Sequence, residues 1–125
     1  MIDALFNQTN YVATKKMLDA TALRHEAIAS NLANLETPGY KRVDVDASFQ
    51  TQLQEALSSH STSMDFQPKL AMDNTDGSAT RDGNNVQLET ELINLNQNTL
   101  AHSMETQLVS ATLAKLRTAI TGQST

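Results

Sequence analysis

The chain has 125 residues, a net charge of −5 and no cysteine. That length allows one domain, the acidic balance leaves no basic patch for nucleic acid, and thiol chemistry is excluded. Only 39% of residues are apolar and 4% aromatic, while Ser, Thr, Asn and Gln number 44, a neutral polar excess suited to wet contacts between subunits. Residues 1–35 are expected to form a helix with no Pro or Gly before its end. Tyr11, Leu18, His25 and Leu32 recur every seventh residue, with Thr14, Thr21, Ile28 and Leu35 as a second stripe. Half of that seam is polar, so the helix is marginal alone.

Residues 36–85 change texture. Thr37-Pro38-Gly39-Tyr40 reads as a turn, with Pro38 setting its first bend and Gly39 taking positive φ. Val43 and Val45 alternate with Asp44 and Asp46, which predicts a short extended segment. The run from Ser48 to Leu57 has the composition of one or two helical turns. From Ser58 to Asn85 the chain is poor in apolar residues and is punctuated by Pro68, Asp76-Gly77 and Asp82-Gly83, so it reads as flexible loop or a mobile hairpin.

Residues 86–121 predict a second, longer helix, with Asn85 as its N-cap, Glu89 and Glu91 at the positive end of its dipole and Gly122 as its stop. Leu88, Leu92, Leu95, Val109, Leu113, Leu116 and Ile120 form its seam, beside a second stripe of Leu100, Met104, Leu108 and Ala111. The apolar face is therefore wider than one partner helix needs. The fold class expected is mainly α: two long terminal helices in a coiled-coil-like hairpin around a small, irregular or extended polar middle. Such a hairpin buries little area, so its ends are expected to order on assembly.

No catalytic, metal or cofactor constellation is present in the sequence. His25-Glu26 opens like a zinc-protease motif, but position 29 is Ala where the second histidine belongs. The segment from Asp73 to Asn84 is rich in oxygen donors, yet its spacing fails the calcium-loop pattern. Asn7-Gln8-Thr9 matches a glycosylation sequon in form only, since it falls in the predicted helix. No run approaches the ~20 apolar residues of a membrane span. The N-terminus lacks the pattern of a secretory signal. Neither an enzyme nor direct membrane insertion is expected.

Asn31 and Asn34 lie three apart, on one face, just before the helix stop. They either cap the helix end locally or hydrogen-bond a neighbouring subunit. Ser30, Asn31, Leu32, Ala33, Asn34, Thr37, Gly39 and Tyr40, with Pro38 between, resemble the N-terminal signature of bacterial flagellar rod and hook proteins. Val43-Asp44-Val45-Asp46, the run Asp82 to Leu92 and the short length are similar to the proximal rod members, with the related rod protein FlgC as the alternative. A small helical adaptor that binds partner helices is the reading from another class.

The resemblance implies a structural subunit that leaves the cytoplasm through the flagellar type III export apparatus without a cleaved signal. It implies helical stacking through the terminal helices in the periplasm. The partners implied are copies of itself, FlgC, the rod–MS-ring adaptor FliE and the export gate. Phe49 and Leu53 have the spacing of an export-gate recognition motif, and equally of a packed pair one helical turn apart.

Overall fold

The computed structural model describes residues 8–74 and 80–122. Helix α1 (Thr9–Ala33) is 25 residues of unbroken helix rich in alanine, and it stops at Asn34. Strand β1 (Val43–Val45), helix α2 (Ala47–Ser58), strand β2 (Leu70–Met72) and helix α3 (Leu88–Thr121) follow. The part of the predicted first helix before Gln8, and Asn7 of the sequon, lie outside the described residues. Leu35 falls beyond the end of α1, because Thr37-Pro38 cannot continue a helix.

The middle is more ordered than its composition suggests. Asp46 opens α2 by accepting a hydrogen bond from Ser48 N at 2.9 Å. That bond holds the Asp46 carboxyl below the usual carboxylate range. The helix runs 12 residues because Phe49, Leu53 and Ala56 share one face. They pack with Ala13 of α1 and Met64 into the apolar core, and the Phe66 ring meets Phe49 edge-on at 5.7 Å. β2 pairs antiparallel with β1, Val43 opposite Met72 and Val45 opposite Leu70. The expected loop from Ser58 to Asn85 thus contains a strand that returns to the segment after the turn.

The two long helices lie antiparallel within one chain: Asn31 meets Glu91, and Thr21 meets Asn98 and Glu105. The predicted N-cap of α3 is corrected. The helix starts at Leu88 with Gln87 in the capping position, and the Asn85 side chain is drawn elsewhere. Gly122 ends α3 with φ +64 and donates its N–H to Thr118 O.

The seam between α1 and α3 also differs from the predicted stripes. On α3 the buried residues are Glu91, Asn98, Glu105 and Leu116, and Leu95 and Val109 are half-buried. Leu88, Leu92, Leu113 and Ile120 are exposed. On α1 the buried set is Ala13, Ala27, Ile28 and Asn31, while His25 faces solvent. Small alanines let the helices approach, and side-chain amides and carboxylates take positions that an apolar reading gives to leucine. The outer face of α3 keeps its leucines in water: Leu100 is 64% exposed, and Met104 and Leu108 are each 58% exposed.

Candidate functional site: the signature corner

The signature marks the corner where α1 stops. Asn31 is completely buried, and its amide is fully used. Oδ1 accepts from Val43 N at 2.8 Å and from the Tyr40 hydroxyl at 3.2 Å. Nδ2 donates to Val43 O at 2.9 Å and to Glu91 Oε2 at 3.2 Å. The amide therefore pairs with Val43 on both sides, as a neighbouring strand would, and covers that edge of β1. Ser30 Oγ lies 3.0 Å from the Tyr40 oxygen and completes the ring of bonds around the helix end.

Asn34 acts locally. It is the C-cap; Nδ2 donates to Ser30 O at 2.8 Å, and Oδ1 accepts from Thr37 Oγ1 at 3.1 Å. The turn closes through Tyr40 N to Thr37 O at 3.2 Å, with Gly39 at φ +72. Of the two readings of the amide pair, Asn34 follows local capping, while Asn31 bonds within the chain to partners beyond the helix end. Of the remaining signature residues, Leu32 is half-buried, while Ala33, Thr37 and Pro38 are exposed.

Gly39→Ala is expected to cost about 1 kcal/mol. An added Cβ meets nothing within 4 Å, so the cost is the left-handed backbone alone. Urea unfolding should show a lower midpoint with an unchanged slope.

The corner is closed from far along the chain. Asn84, only 1% exposed, places Nδ2 2.8–3.0 Å from the carbonyl oxygens of Asn34, Leu35 and Thr37. It thus ties the carbonyls of the segment after α1 to the far end of the chain. Its own Oδ1 accepts from Val86 N at 2.8 Å. Gly39 N donates to Asp82 O at 2.9 Å, and Gly83 turns at φ +86 beside Gly39. The Asp82 carboxyl is held down by the Thr80 hydroxyl and by Asn84 N. Asn85 accepts from Arg42 N at 2.7 Å and donates to Asp73 O at 2.7 Å.

A charged hub lies beneath. Arg42 donates through Nε to Glu91 Oε1 at 2.9 Å and through NH1 to Asp73 at 2.6 Å, with Asp44 at 3.4 Å. Asp44 is also held by the guanidinium of Arg24 on α1 at 3.0 and 3.1 Å. Burial alone lowers the Arg42 pKa, but the bonds to Asp73 and Glu91 and the nearby acidic charges outweigh it and raise it. Glu91 is fully buried between Arg42 and Asn31.

Sequence reasoning gave Arg42 and Asn84 no role in the site, and assigned Asn85 to the cap of α3 and Glu91 to its dipole. Paired asparagines after an Asp-Gly turn are the signal that points to such long-range capping. Among the described residues no cluster of His, Asp and Glu is placed to hold a metal ion. Phe49 and Leu53 lie outside the corner, in the core, 6% and 7% exposed.

What the corner does chemically is tie the end of α1 to the start of α3. The sequence pattern of the family described as "Flagella basal body rod protein" matches residues 18–41, the second half of α1 and the turn. The chain resembles this rod family along that segment. FlgB of Borrelia hermsii is 29% identical over 74% of this chain and 82% of its own. FlgB of Aquifex aeolicus (strain VF5) is 29% identical over 88% of this chain and 91% of its own. These likenesses support a structural role in the flagellar basal-body rod. Among the described residues, no helix is long and apolar enough to cross a membrane.

Proposed function

We propose that this chain is a proximal rod subunit, exported by the flagellar type III apparatus without a cleaved signal and assembled helically in the periplasm through α1 and α3. The observation that carries the reading is the burial pattern of α3. Its buried side chains are mostly polar, while Ile93, Leu100, Met104 and Leu108 stand in water. A contiguous apolar stripe of this kind marks a surface for another protein. Its occupants are other rod subunits: copies of itself, FlgC, and the adaptor FliE at the MS ring. The name FlgB carried by both relatives favours the proximal position over that of FlgC.

The signature residues support assembly by fixing where α1 ends and how α3 returns to it. Ala33, Thr37 and Pro38 are the part left open to a neighbour. Phe49 and Leu53 serve twice: as a linear segment read by the export gate in the unfolded chain, and as core residues after folding.

Leu100→Asp with Leu108→Asp tests the reading. Both side chains are exposed, so stability of the isolated protein should stay within ~0.5 kcal/mol. The wild-type protein should co-purify with hook–basal bodies, and the double variant should be absent from them and leave cells non-motile. A wild-type protein that fractionates away from basal bodies would instead indicate the helical adaptor.

A further inference from the structure

The inward face of α3 carries a polar residue every seventh position, and each has a partner on α1. Glu91 accepts from Asn31, Asn98 donates to Thr21 O at 2.9 Å, and Glu105 accepts from Thr21 Oγ1 at 2.8 Å. The stripe of Ile93, Leu100, Met104 and Leu108 lies roughly a third of a turn away at ~100° per residue. Apolar burial alone would turn that stripe toward α1. Burial also pushes the Glu105 carboxyl up, so the inward position is not the one its own charge prefers.

We propose that Asn98 and Glu105 determine which face of α3 turns inward, and thereby present the Leu100–Met104–Leu108 stripe to a second copy of this chain. This rests on the rod reading above. A single polar residue at a seam position fixes helix pairing at a cost in stability. Here two of them extend the hold that the corner already has on Glu91. The surface they turn outward is charge-free: between Glu91 and Lys115 the only Asp, Glu, Lys or Arg is Glu105, which is buried. A face without charge is matched by another without charge, and this chain supplies one.

Removing both side chains leaves no buried orphan on α1, because the Thr21 hydroxyl still bonds to Leu18 O at 3.0 Å. The absence of native cysteine makes engineered cross-links unambiguous. Ala20 and Ala101 line one groove between α1 and α3, so Ala20→Cys with Ala101→Cys reports the native face. Ala20→Cys with Met104→Cys reports the rotated one.

In the full-length purified protein, Asn98→Ala with Glu105→Ala should invert the preference from the Ala101 to the Met104 cross-link while helix content by circular dichroism is kept. Asn98→Leu with Glu105→Leu should restore the Ala101 cross-link, since apolar side chains hold the same face inward without hydrogen bonds. An unchanged cross-link preference in the alanine variant overturns the proposal. So does loss of helix content in that variant, which would make the pair a stability determinant. The cross-links need no assembly, so this outcome is separate from the rod reading, which fails if the Leu100→Asp and Leu108→Asp variant enters basal bodies normally.

Discussion

Glu91→Ala is expected to destabilise the protein by about 3–5 kcal/mol. Glu91 is fully buried, and it links three elements: it accepts from Arg42 beside β1 and from Asn31 on α1, while itself standing on α3. Alanine leaves the Arg42 guanidinium, 15% exposed, with one of its charged partners gone, and leaves one Asn31 N–H bare in a closed site. Glu91→Gln should cost less, because an amide oxygen still accepts one bond. Thermal and urea unfolding measure both. A Glu91→Ala midpoint indistinguishable from wild type would mean that the hub does not hold the helices together.

Phe49→Ala should cost about 3–5 kcal/mol and Leu53→Ala about 2–5 kcal/mol. Both side chains fill the core between α1, α2 and Met64, and Phe49 also loses its edge-on contact with Phe66. The same variants test export. A secretion channel passes unfolded chains, so lost stability alone does not hinder passage. Retention of either variant in the cytoplasm, at normal cellular level, is the expected result if the pair is read as a linear segment. Normal delivery of both to the periplasm would remove the export role and leave Phe49 and Leu53 as core residues only.

The two long helices were legible because Pro and Gly punctuate the chain so sparsely. Gly39 stood out as the residue to turn left-handed and Gly122 as the stop of the last helix, and both take positive φ. The identity of the buried face was not legible. Periodicity arguments reward apolar residues, and α3 places Asn98 and Glu105 where such an argument places leucine. Strand β2 was hidden for a different reason. Its three residues, Leu70 to Met72, gain their order from pairing with β1 and carry little pattern of their own. Within the corner, the importance of Asn31 could be read from the signature, but its target could not. Local capping and tertiary bonding both need an amide at a helix end, and only the fold brings Val43 and Glu91 to it.

The ties across the corner set an order in time. The bonds that join α1 and its turn to Asn84 and α3 connect residues 47 to 84 positions apart. Asn34 waits for Asn84, Asn31 for Glu91, and Thr21 for Glu105. A ribosome adds ~5–20 residues per second, so for several seconds a nascent chain holds α1 with only its local Asn34 cap and no partner helix. Contacts this distant in sequence also slow the search after synthesis, because the loop entropy is lost before any contact repays it. Throughout that interval the molecule is an open thread, which is the form a narrow channel passes.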